Sequence, residues 1–267
     1  MGKTSLVEEL QRRHTDETIF LCGRAFQATA TTPYAVWVDA LEQHLRSLPR
    51  RELLHVLPAG SDLPRLFPAC QHLALEPVTT PAGDIGSEQV RLFGQMGTML
   101  SRMAGDRRLV VVLDNLQWAD ASSVELLHAV VRALDGCRIL ILGVYRGDDL
   151  RAGSSLSVCL ESLDRLGLAE SMAVPSLTAA ATGAILSEET GRGWPAGAVH
   201  QLHHLTQGNA FFVREFGKHA AAQGQDGPPA WASIEDMPGT VQALLNERLR
   251  VLDEGCRRVL AFAAAFE

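Results

Sequence analysis

Three residues at the start of the chain have the chemistry of a phosphate-binding site. Gly2, Lys3 and Thr4 fit the last three positions of the pattern G-x-x-x-x-G-K-[ST]. In that pattern the lysine contacts phosphate as a point charge, and the hydroxyl of the last residue binds Mg²⁺. Three common residues also occur together by chance. The structural alternative is an ordinary helix N-terminus that Thr4 or Ser5 caps.

A second candidate residue, Asp114, ends the apolar run 109–113. Such a run predicts a buried parallel strand, and ligands of open α/β sheets bind at the carboxyl ends of the strands. There Asp114 would hold Mg²⁺, directly or through water, opposite the hydroxyl of Thr4, which is the Walker B arrangement. An N-cap for the following helix is the alternative role for Asp114. The phosphate-binding residues favour the metal role.

The pattern around these residues alternates strands and helices. The longest stretch without such a pattern, 58–87, is rich in proline and glycine and predicts a surface connection with little regular structure. Alternation of strand and helix predicts an α/β fold with a parallel sheet and right-handed crossovers. The predicted strands are 18–23, 109–113, 138–145 and a short one near 172–174; the predicted helices are 4–13, 34–48, 88–104 and 121–134.

After Pro175 the pattern becomes helical without strands. The predicted helices are 178–190, 196–206, 210–222, one with apolar residues over 241–252, and one from 253 onward, with a linker at 223–229. We therefore predict three parts. They are a P-loop core at 1–175, a helical lid at 176–225 and the start of a small helical domain at 226–267, for which the family resemblance described below implies a winged-helix-like fold.

The composition narrows the class of protein. The 267 residues carry a net charge of −7 without a dense basic block, so we expect DNA contact only through segments absent from this chain. The five cysteines form no C-x-x-C pair, and no signal peptide is present. No apolar stretch approaches the length of a membrane span. The composition predicts a cytoplasmic protein without membrane contact.

Residues 113–123, Leu-Asp-Asn-Leu-Gln-Trp-Ala-Asp-Ala-Ser-Ser, carry a family resemblance. They resemble the D-[DN]-[LA]-[HQ]-W-A-D-x-x-S signature of bacterial regulatory ATPases of the AAA/STAND type, which begin large LuxR-type transcription regulators. Further segments resemble the family's motifs in the expected order. These are Gly23-Arg24 with Pro33-Tyr34 and Trp37, Gly143-Val144-Tyr145-Arg146, Gly208-Asn209-Ala210-Phe211-Phe212-Val213, and Met237-Pro238-Gly239-Thr240-Val241.

The resemblance implies ATP and Mg²⁺ as ligands. It implies that Lys3 bridges the β- and γ-phosphates, next to Gly2, and that Thr4 and Asp114 hold the metal. By the same resemblance Arg146 senses the γ-phosphate, and Gly208 and Asn209 lie near the adenine. A surface arginine at a strand end is the alternative for Arg146.

Three departures from the family pattern weaken catalysis. Asn115 stands where many relatives carry an acid, and a neutral amide is a poor general base, so we expect slow hydrolysis. Ala210 stands where the family commonly has proline. Most of the phosphate loop, and the strand before it, do not precede Gly2. That strand would lie in the middle of the family's sheet, so we expect a longer native chain or a degraded gene.

Three functions follow from these patterns. The first is an ATP-binding switch module of a regulator, with nucleotide and a small-molecule or protein inducer as partners. The second is a non-catalytic interaction module, or a remnant of such an ATPase. The third, a free-standing NTPase coupled to another reaction, ranks last because the sequence supports no second active site. His200, His203 and His204 have zinc-like spacing, but a solvated helix face is the favoured interpretation.

Overall fold

The fold was analysed in a computed structural model, which describes residues 2–14, 17–73, 85–134, 136–223 and 238–263. The chain divides into two compact units. One is Lys3–Met172, and the other contains Ala173–Glu267 together with Met1–Gly2. We call them the sheet unit and the helical unit. The three-part division at 175 and 225 stays a prediction.

A parallel three-stranded sheet forms the centre of the sheet unit. Its strands are β1 (Thr18–Arg24), β2 (Arg108–Asp114) and β3 (Ile139–Gly143), in the order β1-β2-β3. β2 lies in the middle, and its six residues from Leu109 are all buried, as the apolar run predicts. The register places Arg24 opposite Asp114, so the two strands end together. The prediction of a parallel α/β sheet flanked by helices is confirmed.

The described part of the sheet unit contains six α-helices around this sheet. α2 buries Val36, Trp37 and Leu41 from one face, and the core of the unit continues through α4, α5 and α6. The apolar stripe at helical spacing explains this packing, because it removes the large side chains from water. The helices are α1 (Lys3–His14), α2 (Ala35–Ser47), α3 (Arg50–Val56), α4 (Ile85–Ala104), α5 (Ala121–Ala133) and α6 (Ser155–Arg165).

The sequence prediction differs from the structure in the connection 58–87, in the strand near 172–174 and in two missed helices. The described part of 58–87 is no mere surface connection, because Leu63, Phe67 and Cys70 are fully buried in short 3₁₀ turns. Residues 74–84 lie outside the described residues. The short strand near 172–174 does not form: the segment has no regular structure, and the Met172 side chain is 80% exposed. Helices α3 and α6 were not predicted.

The helical unit has its own core. Leu186, Leu202, Val213 and Phe216 are buried together, and Val241 joins them from the last helix pair. The described part of this unit contains no strand, so a winged-helix-like domain stays a prediction. The predicted linker at 223–229 falls almost wholly outside the described residues. The helices are α7 (Ala179–Thr190), α8 (Ala196–Thr206), α9 (Ala210–Gln223), α10 (Gly239–Val251) and α11 (Glu254–Ala263).

Helix length and polarity also bear on membrane contact. None of the described helices, in either unit, combines the length and the apolar character that crossing a membrane requires. The longest of them, α4, has 20 residues and includes Glu88, Arg91 and Arg102.

Candidate functional site

The sheet unit brings together two residues that lie 110 positions apart in the chain. The hydroxyl of Thr4, in the first turn of α1, donates a hydrogen bond to Oδ2 of Asp114 at 3.3 Å. Asp114 is the last residue of β2 and is 9% exposed. The two side chains predicted to hold Mg²⁺ are therefore direct neighbours at the carboxyl end of the central strand.

Among the described residues, the carboxylate of Asp114 has three partners. Its Oδ1 accepts the backbone N–H of Asn115 at 2.9 Å, and its Oδ2 accepts the Thr4 hydroxyl. Nε of Arg24 lies 3.4 Å from the same Oδ2. Arg24 was part of a family motif in the sequence, but no role was predicted for it. The signal that could have shown one is a cationic residue at the end of the strand beside the acid.

The backbone around Arg24 is fixed from two sides. Its N–H donates to Oδ2 of Asp39 on α2 at 2.7 Å, and the N–H of Ala25 donates to the carbonyl oxygen of Asp114 at 2.9 Å. The preceding residue, Gly23, lies so close to α2 that a Cβ atom there would be 2.2 Å from the carbonyl oxygen of Val36. These contacts hold the Arg24 backbone in place and leave its side chain to reach Asp114.

Asn115 ends the strand with a left-handed backbone conformation. Its φ is 59° and its ψ is 39°, values that asparagine adopts more readily than most residues. A 3₁₀ turn, Leu116–Trp118, follows directly. The left-handed residue turns the chain sharply at the point where a ligand would approach Asp114. Its amide side chain can donate and accept hydrogen bonds, but it cannot take up a proton as a carboxylate can.

Arg146 follows strand β3 and contacts the turn after β2. Its backbone N–H donates to Oε1 of Gln117 at 3.2 Å, and its guanidinium lies 6.0 Å from the centroid of the Trp118 ring. Nε2 of Gln117 is buried and has no hydrogen-bond partner in the described part of the chain. The structure thus ties the end of β3 to the turn that follows Asp114, and it places the Arg146 side chain against Trp118.

Comparison with protein families shows which family the chain matches. The model of the family described as AAA ATPase domain matches residues 1–142. The chain belongs to this family. The matched range begins before α1 and ends within β3, so it contains Lys3, Thr4, Asp114 and Asn115, while Arg146 lies beyond it. A comparison with curated proteins finds no match.

The N-terminus of α1 is where the sequence predicts phosphate binding. Lys3 is the first residue of this helix, and the first turn contains no Asp or Glu. Exposed N–H groups and the positive end of the helix dipole favour an anion at such a terminus. Gly2 has a φ of 100°, a conformation that favours glycine. The family implies nucleotide binding, and these residues have the chemistry to contact phosphate.

The donor set of the AAA ATPase domain suits Mg²⁺. Among the described residues, no group of three or more His, Cys, Asp or Glu side chains is placed to hold a metal ion. Mg²⁺ is commonly bound by one or two carboxylates together with substrate phosphates and water. Thr4 and Asp114 supply one hydroxyl and one carboxylate, so nucleotide phosphate would complete the shell. His203 is one of the three histidines with zinc-like spacing, and its Nδ1 lies 3.2 Å from the hydroxyl of Thr182.

Gly208 and Asn209 belong to the helical unit, and they connect α8 to α9. Gly208 has a φ of 66°, and a Cβ there would be 2.4 Å from the carbonyl oxygen of Leu177. Its own carbonyl accepts the Leu177 N–H at 2.8 Å. Oδ1 of Asn209 accepts the N–H of Phe211 at 3.1 Å, at the start of α9. These contacts give both residues a structural role, and their proximity to adenine stays a prediction.

Proposed function

We propose that this chain is the ATP-binding switch module of a signalling or transcription regulator of the STAND and LuxR type. The observation that carries the proposal is the contact between Thr4 and Asp114 at 3.3 Å, in a chain of the AAA ATPase domain family. Chance occurrence of Gly-Lys-Thr gives no reason for that threonine to lie beside the acid that ends the central strand. A shared Mg²⁺ site gives such a reason.

The nucleotide supplies the reactive γ-phosphate, and the residues of the chain bind and orient it. Lys3 and the N-terminus of α1 would contact the phosphates, while Thr4 and Asp114 would hold Mg²⁺. Arg146 would read the γ-phosphate from the end of β3. The backbone N–H of Arg146 donates to Gln117, which links the end of β3 to the turn after Asp114. This link supports a switch, because a shift of one segment would move the other.

We infer slow hydrolysis from Asn115. Activation of water needs a group that accepts a proton, and the residue after Asp114 carries a neutral amide. Its left-handed backbone already donates its N–H to Asp114, so the residue shapes the turn. Slow hydrolysis would prolong the ATP-bound conformation. Such a long-lived conformation suits a regulator, because the conformation itself is the signal. A small-molecule or protein inducer would be a partner of the regulator, and DNA would bind only through segments absent from this chain.

A second candidate function is an interaction module that does not use ATP. One observation favours it: Asp114 already has Arg24 and Thr4 as partners, so its charge is balanced without a metal ion. The two candidates differ in a simple property, which is whether ATP and Mg²⁺ bind at all.

The test is equilibrium binding of labelled ATP to the full chain, with and without Mg²⁺. Lys3 and Lys218 are the two lysines of the sequence, so Lys218→Ala is a matched control for Lys3→Ala. Lys218 is exposed and pairs with Glu215 at 3.1 Å. We expect saturable binding that Lys3→Ala and Asp114→Asn weaken about tenfold or more, the size of a lost charge-assisted contact. Lys218→Ala should bind as the unaltered chain does.

Absence of ATP binding by the unaltered chain would reject the switch and favour the interaction module. The rate is tested by phosphate release. We expect it to be far below the median of about 10 s⁻¹ for enzymes. Asn115→Asp, which has the same shape, should accelerate release; a fast unaltered chain would reject the slow-switch proposal.

A further inference from the structure

We propose that Arg24 is a built-in counter-ion for Asp114, which must leave that carboxylate before a divalent metal ion binds there. Nε of Arg24 lies 3.4 Å from Oδ2 of Asp114, the same oxygen that accepts the hydroxyl of Thr4. The oxygen that faces the metal-binding threonine is therefore shared with a guanidinium. Arg24 would be a positioning residue of this site that sets the metal concentration at which the site fills.

The sheet explains why Arg24 reaches this oxygen. Arg24 and Asp114 are paired in the parallel register of β1 and β2, and both are the last residues of their strands. Hydrogen bonds from the Arg24 N–H to Asp39 and from the Ala25 N–H to Asp114 fix the backbone on both sides. The pairing follows from the fold, because these bonds leave the arginine Cα little freedom to move away.

The side chain, in contrast, has freedom to leave. The Arg24 side chain is 50% exposed, whereas that of Asp114 is 12% exposed. A half-exposed guanidinium can return to water at a lower cost than a buried one, because it already keeps part of its contact with solvent. The buried carboxylate remains where it is and needs a replacement cation. This asymmetry suits an exchange in which arginine moves and aspartate stays.

Charge makes the two cations mutually exclusive. Asp114 carries one negative charge, and its other partners, the Asn115 N–H and the Thr4 hydroxyl, are neutral. A divalent ion bound between Thr4 and Oδ2 would lie within a few ångströms of the guanidinium. Like charges at that separation repel strongly in a partly buried site. Arginine should therefore weaken the binding of free metal ions.

One consequence concerns the order of binding, and it rests on the proposed function. A free guanidinium matches the oxygens of phosphate with its fork of N–H donors. If ATP brings phosphate to the site, Arg24 gains a new partner when it leaves Asp114. Free Mg²⁺ would then bind weakly, whereas Mg²⁺ that enters together with nucleotide would not meet this opposition.

The experiment measures Mn²⁺ binding to the full chain, without nucleotide, by electron paramagnetic resonance. Arg24→Gln should bind Mn²⁺ about tenfold more tightly than the unaltered chain, the effect that a neighbouring charge has on an ionic equilibrium. Arg24→Lys keeps the charge and should stay near the unaltered chain. Arg65→Gln is the matched charge control, because Arg65 is 83% exposed and lies 3.9 Å from Asp62. It should change nothing.

Asp114→Asn locates the effect. The gain from Arg24→Gln should disappear in the double variant with Asp114→Asn, because the opposed charge is then gone. Arg24→Met offers a second neutral side chain with a long stem if Arg24→Gln does not fold. The proposal is overturned if the neutral variants bind Mn²⁺ no more tightly than the unaltered chain, including the case in which no variant binds it.

The Mn²⁺ measurement, taken together with the ATP-binding measurement above, separates this inference from the proposed function. If the unaltered chain does not bind ATP, but Arg24→Gln binds Mn²⁺ more tightly, the inference about Arg24 stands and the ATP switch is rejected. If the unaltered chain binds ATP, but Arg24→Gln does not change the Mn²⁺ affinity, the ATP switch stands and the inference about Arg24 is rejected.

Discussion

The backbone N–H of Tyr34 donates a hydrogen bond to Oδ1 of Asp120 at 3.2 Å, across 86 residues of chain. The same oxygen accepts the N–H of Ser123 at 2.8 Å, which makes Asp120 the N-cap of α5. Tyr34 has a left-handed φ of 61° just before α2 begins. Asp120 therefore fixes two helix starts at once, and the Trp-Ala-Asp-x-x-Ser motif acts here as a structural connection.

Asp120→Ala should destabilise the sheet unit by about 2–3 kcal/mol. It removes an N-cap, which contributes about 1 kcal/mol, and it leaves the Tyr34 N–H without its partner, which costs about 1–2 kcal/mol more. Urea unfolding followed by circular dichroism measures this change. Ser154→Ala is the matched control, because the Ser154 side chain caps α6 by accepting the Ser157 N–H. Equal losses in the two variants would contradict the double role of Asp120.

The sequence predicts those elements of the fold that neighbouring residues determine, and it fails for those that tertiary contacts determine. The buried strand β2 and the helix at 121–134 were predicted, because an apolar run and helical spacing act within a few residues. The burial of Leu63 and Phe67 was not, because prolines and glycines nearby favour a loop and only tertiary contacts decide what the loop buries. The strand near 172 was wrong, since short apolar runs do not determine pairing.

The candidate site shows the same division. The sequence predicted Thr4 and Asp114 as metal ligands, and the structure places their side chains in contact, while the metal role itself stays a prediction. The contact of Arg24 with Asp114 was missed, because the register between two distant strands determines it. The hydrogen bond from Arg146 to Gln117 was missed for the same reason. Spacing along a chain does not reveal which strand ends are neighbours.

Gly23→Ala should destabilise the sheet unit by about 3 kcal/mol, the upper range for an overpacked core. A Cβ at this position would lie 2.2 Å from the carbonyl oxygen of Val36 and 2.7 Å from the N atom of Ala40, so α2 would have to move off β1. Gly94→Ala is the control. Gly94 lies within α4, and its added Cβ would meet nothing within 4 Å.

Gly94→Ala should stabilise the chain by about 0.5–1 kcal/mol, because alanine is the better helix residue. Thermal unfolding of both variants measures the two changes. Opposite signs are the expected result. A neutral Gly23→Ala would show that β1 and α2 tolerate separation, and it would remove the support that this contact gives to the position of Arg24.

Gly208→Ala should destabilise the helical unit by about 3 kcal/mol. The left-handed φ of 66° costs about 1–2 kcal/mol for alanine, and the contact with the Leu177 carbonyl at 2.4 Å adds an overpacking term of about 1–3 kcal/mol. Gly191→Ala separates the two terms. Gly191 has a similar φ of 69° at the end of α7, but its Cβ would meet nothing within 4 Å.

Gly191→Ala should therefore cost only about 1–2 kcal/mol, by the conformational term alone. Urea unfolding of both variants gives the comparison. A Gly208→Ala chain that is as stable as Gly191→Ala would show that the close approach to Leu177 is not needed for packing.

Four of the five cysteines should fall into two classes of reactivity toward a disulfide reagent at pH 8. Burial raises the pKa of the Cys70 thiol to about 11, and it raises the pKa of Cys159 to about 11. Only about one such thiol in a thousand is a thiolate at pH 8, and the thiolate is the reactive form. Cys137 and Cys256 are exposed and should react first.

The release of thionitrobenzoate over time measures the two classes. Cys137→Ser should remove one equivalent from the fast phase, whereas Cys70→Ser should leave that phase unchanged. Urea should make Cys70 and Cys159 reactive, because unfolding exposes them and returns their pKa values toward the ordinary range. Fast reaction of Cys159 in the folded chain would mean that α6 separates readily from α5, where its Sγ lies 3.8 Å from the Val124 carbonyl oxygen. Slow reaction is expected, because the Cys159 side chain belongs to the main core of the sheet unit.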